Sequence, residues 1–177
     1  MEAFTEELRS TNDIHPIKLL QAKALEIANL SYDRAFAIDE SDIAIKVGEY
    51  YITLLVEKFY RKIYDDQEDW FRSIFTSPIE ESNQNLADFL IQRIGGTPYY
   101  SERKGFPALI DRHAMFNISE DSAERWLGYM NESLNEMEDD IDEKYRRELS
   151  DFLRYTAYFL VVAQKSKTIM ENMGPGS

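Results

Sequence analysis

Residues 95–113 read Gly95-Gly96-Thr97-Pro98-Tyr99-Tyr100-Ser101-Glu102-Arg103-Lys104-Gly105-Phe106-Pro107-Ala108-Leu109-Ile110-Asp111-Arg112-His113. The punctuation in this stretch sets the frame for the whole chain. Glycine permits a positive φ and proline cannot continue a helical ladder, so Gly95-Gly96-Thr97-Pro98 stops whatever helix precedes it. The spacing predicts irregular chain from there to Gly105. Pro107 then opens a short helix carrying Ala108, Leu109 and His113. An irregular segment inside a compact helical domain is usually functional or disordered.

Outward from this stretch the apolar spacing is helical nearly everywhere, with no strand-like alternation between turns. Upstream, a helix from Ile79 to Ile94 turns Leu86, Phe89, Leu90 and Ile94 inward. Glu49 to Tyr64 is a stronger helix, with Tyr51, Leu55, Phe59 and Ile63 about one turn apart. Between them, Asp65 to Phe75 is a helical or turn region around Trp70 and Phe71. Ser41-Asp42 starts a short helix to Val47, and Pro16 starts a first helix to about Tyr32. Downstream, Ser119 opens a helix whose buried stripe is Ala123, Trp126, Leu127, Met130, Leu134 and Met137. The acidic run Glu136 to Glu143 reads as a solvated loop. A last helix from about Asp142 to Met170 buries Tyr145, Leu149, Phe152, Leu153, Thr156, Phe159, Leu160 and Ala163. The fold class is all-α, with roughly seven helices. Residues 1–40 form an N-terminal extension with one helix, 41–171 the main domain, and 172–177 a tail that reads as an artificial addition.

The chain has 177 residues and a formal net charge of -13, which disfavours nonspecific nucleic-acid binding and anionic membrane surfaces alike. No apolar run approaches ~18–20 residues, so no membrane span is expected. The acidic N-terminus is neither a secretory signal nor an Arg-rich transit peptide. Cysteine is absent, which excludes disulfides, zinc-thiolate sites, iron–sulfur clusters and cofactor attachment through Cys. These features are compatible with a reducing compartment, and a cytoplasmic location is the expectation.

There are two histidines, His15 and His113. His15 precedes Pro16 in a polar stretch and reads as solvent-exposed. His113 is either a hydrogen-bonded core histidine or a metal ligand. Around it Arg93, Arg103, Lys104 and Arg112 outnumber Glu102 and Asp111. A locally basic stretch in an acidic chain suits an anion, such as the two propionates of haem, and is otherwise a solvated loop. Neutral imidazole ligates haem iron well and leaves the sixth site open to a diatomic gas. Tyr60 could offer a hydroxyl to such a gas and Trp126 an indole N–H, although their spacing equally fits core aromatics. Other chemistries lack their residues. There is no Gly-x-Ser-x-Gly elbow, no phosphate loop, no EF-hand around Asp139, Asp140 and Asp142, and no Glu-x-x-His pair for a di-iron site.

The segments Phe59-Tyr60, Trp70-Phe71-Arg72-Ser73-Ile74-Phe75, Gly95 to Tyr100, Arg103 to His113, Ala123-Glu124-Arg125-Trp126-Leu127 and Phe152 to Leu160 occur in one order over about Phe36 to Ala163. In that order and spacing the chain resembles the group II truncated haemoglobins, plant-type branch. The resemblance implies a two-over-two helical sandwich around haem b, with an extra N-terminal helix. It makes His113 the proximal iron ligand, Tyr60 and Trp126 the distal donors, and Arg112, Tyr100 and Lys104 the propionate side. Phase by phase along the pocket it places Phe75, Ser82, Leu86, Phe89 and Leu90 on the distal side, with Leu109 and Phe116 beside His113. Phe106 stands where the family usually has histidine, and Thr97 replaces a common proline. The implied ligand is O2, with NO and CO as further gases; a second copy of the chain and a reductase are the implied partners. The alternatives are a haem enzyme, an NO dioxygenase or a peroxidase-like protein, and a cofactor-free helical interaction module.

Overall fold

Helix ends explain most of the architecture. The computed structural model describes residues 16–172, with side chains to 168; His15 and the Gly174–Ser177 tail lie outside them. Helix α1 (Pro16–Ala28) stops four residues before Tyr32, earlier than its apolar spacing predicts. Asn29 takes a left-handed φ of 54°. Its N–H donates to the Glu26 carbonyl at 3.1 Å and that of Leu30 to Leu25 at 3.0 Å, the paired bonds of a Schellman stop. Asn tolerates this conformation better than other non-glycine residues. Ser31 then caps a second helix, α2 (Tyr32–Ala35), and a 3-10 turn follows over Ala37–Glu40. The extension up to residue 40 thus holds more regular structure than one helix.

The central elements are α3 (Ile43–Lys46), α4 (Gly48–Tyr64), α5 (Asp69–Arg72), α6 (Ile79–Arg93), α7 (Tyr99–Lys104), α8 (Leu109–His113), α9 (Glu120–Asn135) and α10 (Glu143–Asn172). No strand forms among the described residues. Two helix pairs, α4 with α6 and α9 with α10, join through contact of α4 with α9. Ile52, Leu55, Val56, Phe59 and Ile63 of α4 meet Leu90 and Ile91 of α6 and Met130 and Leu134 of α9 in the central core. Within the acidic run, Met137 and Ile141 are buried while Glu138, Asp139 and Asp140 face solvent, so this turn also plugs the core.

Two corrections to the sequence-based expectations concern short elements. Tyr99–Lys104 is helical, not irregular. Six residues make fewer than two turns, too short for periodicity to register, and the Gln92 side chain holds α7 by accepting from the Ser101 N–H at 2.8 Å. Ahead of α7, Gly95 has φ 92°. Gly96 donates to the Ile91 carbonyl at 2.9 Å, and a Cβ on Gly96 would lie 2.9 Å from that same oxygen. One glycine is needed for φ and the other for close approach. Finally, α8 begins at Leu109 rather than Pro107, because Ala108 is left-handed (φ 42°, ψ 53°).

Helix α1 packs on α10, where Ala24 and Ala28 meet Tyr155, Tyr158 and Val161. Helix α10 therefore buries side chains toward α1 as well as toward the core. Arg34 forks the Asp151 carboxylate at 2.9–3.1 Å and ties α2 to the same helix.

Candidate functional site

The five residues of α8 are held from outside. The Arg112 guanidinium donates to the carbonyls of Pro107 (2.9 Å), Lys104 (2.6 Å) and Phe106 (3.3 Å), tying the turn before α8 to the helix itself. At the end of α8, His113 Nδ1 lies 2.7 Å from the Leu109 carbonyl. A carbonyl only accepts, so Nδ1 carries the proton and Nε2 keeps its lone pair. Burial pushes the His113 pKa below the usual 6.5, against the smaller upward pull of the Leu109 bond. At neutral pH the ring is a neutral imidazole of fixed tautomer, packed at a steep angle to the Phe116 ring 6.0 Å away.

That ring lines a cavity of about 540 Å³, within the ~300–1,000 Å³ of small-molecule pockets. Tyr60 contributes from α4, Phe71 from α5 and Phe75 from the turn after it; Ser82, Leu86 and Phe89 contribute from α6, and Tyr100 and Lys104 from α7. Leu109, Arg112 and Phe116 flank His113, and Trp126 enters from α9. Leu90, expected on the same wall, is fully buried in the core instead. At ~100° per residue Ser82, Leu86 and Phe89 share one stripe of α6, whereas Leu90 lies about 80° round the axis with Ala87 and Ile91.

The polar groups of the wall are unevenly committed. Thr156 Oγ1 donates to the Phe152 carbonyl at 2.9 Å and Ser122 Oγ to Ser119 at 2.8 Å. Tyr60 and Trp126 have no hydrogen-bond partner among the described residues. Their rings are fixed by Phe59, whose centroid is 4.9 Å from Tyr60 and 4.7 Å from Trp126. Burial raises the Tyr60 pKa well above the usual 10.0, helped by neighbouring Tyr64, so the phenol stays protonated. The cavity thus holds a lone-pair nitrogen and two uncommitted donors in a mainly apolar wall.

The basic surplus counted along the chain does not survive in space. Arg93 pairs with Asp39 and covers the Phe152 ring, and Arg103 forks Asp88 at 2.7 and 3.1 Å, so neither lines the cavity. Lys104 and Arg112 do line it, but so do Glu81, which is 3.5 Å from Lys104, and Asp111.

The family model of the bacterial-like globins matches residues 46–159. Two-on-two hemoglobin-3 of Arabidopsis thaliana is 44% identical over 149 residues, 84% of this chain and 85% of that protein. Group 2 truncated hemoglobin 3-1 of Lotus japonicus is 41% identical over 149 residues, 84% of this chain and 88% of that protein. The chain belongs to the group 2 truncated haemoglobins. The solved truncated oxygen-avid haemoglobin of Bacillus subtilis superposes on this globin with a TM-score of 0.61 at 30% identity, covering 67% of this chain and 97% of that one.

Globins carry haem, and the donor set of this globin fits one. The neutral His113 has a free Nε2, the wall is rich in aromatic rings, and the uncommitted donors lie in the same cavity. Several wall residues of the globin escape sequence reasoning. Ile118, Ala157 and Met115 line the cavity without any polar or spacing signal of their own. Leu153, expected inside, faces the cavity as well as the core, and the half-buried Leu160 lines the cavity; their spacing with Thr156 and Ala157 was the available clue.

Proposed function

We propose that this truncated haemoglobin binds O2 reversibly at haem b, with His113 Nε2 as the iron ligand and Tyr60 and Trp126 as hydrogen-bond donors to the gas. One observation carries the reading: the imidazole locked by Leu109 shares a cavity with two half-buried donors that have no partner among the described residues. Haem held by His113 would supply an iron able to bind a diatomic gas.

The side chains do the rest. Leu109's carbonyl keeps His113 in one tautomer and one orientation, the usual outer-shell device for a metal-ligating histidine. Phe75, Leu86, Phe89, Leu109 and Phe116 exclude water, which strengthens any hydrogen bond made inside. With haem in place, the Tyr60 hydroxyl and Trp126 N–H would be the side-chain donors facing a diatomic gas and would favour the more polar O2 over CO. Lys104, Tyr100 and Arg112 stand at the propionate side; Arg112 keeps Nη1 for a carboxylate after Nε and Nη2 engage the backbone. The Bacillus subtilis relative, termed oxygen-avid, supports the choice of gas. The proposed setting is the cytoplasm.

The test is reconstitution. Titrating purified protein with haem gives a Soret band that saturates at one haem per chain, and the reduced form shifts reversibly between nitrogen and air. A protein that stays colourless, or one whose spectrum does not respond to O2, removes this function.

A further inference from the structure

Ser82 lines the distal wall but its hydroxyl points elsewhere. Tyr64 Oη lies 2.6 Å from the Ser77 carbonyl and 2.8 Å from Ser82 Oγ. A phenol has one hydrogen, and a carbonyl can only accept. Tyr64 therefore donates to Ser77, and Ser82 must be the donor in the second bond. The single hydrogen of Ser82 is spent on Tyr64, and toward the cavity this hydroxyl offers lone pairs only. The phenol is clamped: the Arg72 guanidinium covers its ring at 4.1 Å and itself donates to the Phe75 carbonyl at 2.7 Å. Tyr64 is not part of the cavity wall, so it acts on the site entirely through its neighbours.

We infer that Tyr64 is a positioning residue that sets gas selectivity by holding the Ser82 hydroxyl away from the ligand, leaving Tyr60 and Trp126 as the distal donors. This rests on the proposed gas binding and specifies how its strength is limited. Without Tyr64 Oη, Ser82 is a buried hydroxyl in need of an acceptor, and the partial negative charge on bound O2 is one. The loss of a hydroxyl outside the pocket thus adds a third donor inside it. Ordinary structural damage would have the opposite sign, since a loosened wall admits water and weakens binding.

The experiment is a double-mutant cycle on the full haem-loaded chain: wild type, Tyr64→Phe, Ser82→Ala and Tyr64→Phe/Ser82→Ala. Two readouts are taken, the O2 dissociation rate and the infrared stretching frequency of CO used as a probe. Tyr64→Phe slows O2 release about two- to tenfold, the range of one added hydrogen bond, and lowers the CO frequency. Adding Ser82→Ala to Tyr64→Phe reverses both effects, and Ser82→Ala changes both readouts more in that background than in wild type. The inference is overturned if Ser82→Ala acts equally in both backgrounds. It is also overturned if Tyr64→Phe leaves the CO frequency unmoved, as it would if the freed hydroxyl turned to the Pro78 carbonyl one turn back, or if it speeds O2 release. A failure of all four proteins to take up haem would instead remove the gas-binding reading itself.

Discussion

Asp66→Asn tests the best-defined polar contact in the fold. Asp66 follows α4, and its side chain has no exposed surface. Its carboxylate accepts from Arg125 Nε at 2.6 Å and Nη2 at 2.8 Å, from the Tyr129 hydroxyl at 2.9 Å and from the Glu68 N–H at 2.8 Å. The last of these bonds starts the turn into α5, and the first two fasten that turn to α9. Arg125, foremost, holds the Asp66 pKa down at about 2 from the ordinary 3.8. At ~1.4 kcal/mol per pKa unit this is worth roughly 2 kcal/mol, and about 1–2 kcal/mol after allowing for solvent screening of the pair. Arg125 is 35% exposed, which is why the screening cannot be ignored. The folded pKa is the lower one, so the stabilisation is complete above pH ~4 and is lost as pH falls through 2. Urea unfolding followed by circular dichroism at pH 7 and pH 2.5 measures it. Asp66→Asn should lose stability at pH 7, and its gap from wild type should narrow sharply at pH 2.5. Charge repulsion and haem loss common to both proteins cancel in the difference. A gap of equal size at both pH values would refute the assignment of this stabilisation to the Asp66 charge.

Other perturbations have equally direct readouts. Gly96→Ala pushes a Cβ to 2.9 Å from the Ile91 side chain and carbonyl, and should cost about 1–3 kcal/mol in thermal unfolding; an unchanged Tm would mean the turn relaxes freely. Ala108→Gly should be close to neutral, since relief of the left-handed strain offsets glycine's added freedom, whereas Ala108→Val should lose about 1–2 kcal/mol. Equal stability of the two Ala108 variants would show that this backbone is not strained. Tyr60→Phe and Trp126→Phe should each speed O2 release, by about two- to tenfold for one hydrogen bond of ~0.5–1.5 kcal/mol. If stopped-flow rates stay unchanged in both, neither side chain is a distal donor.

Long amphipathic helices were legible in the sequence because their periodicity spans several turns: α4, α6, α9 and α10 all lie where apolar spacing predicts them. The Ser119 cap was legible for a local reason, a hydroxyl that accepts from the Ser122 N–H at 3.2 Å. What escaped is set by contacts distant in sequence or by single dihedral angles. The stop at Asn29, the left-handed Ala108 and the six-residue α7 leave no periodic trace. The charge count around His113 misled because Asp39 and Asp88, outside the counted stretch, neutralise Arg93 and Arg103. Leu90 was assigned to the wrong face because α6 carries two apolar stripes, one for the core and one for the cavity. Tyr64 carried no signal at all: its role depends on a hydrogen donated by a serine eighteen positions away.

The most direct test of the account is cavity rescue of the ligand. His113→Gly should bind haem weakly and lack the iron–histidine stretching band in the resonance Raman spectrum of the reduced protein. Added imidazole should restore both the band and reversible O2 binding. A His113→Gly protein that keeps the wild-type band and haem affinity without imidazole would show that the iron is held by some other residue.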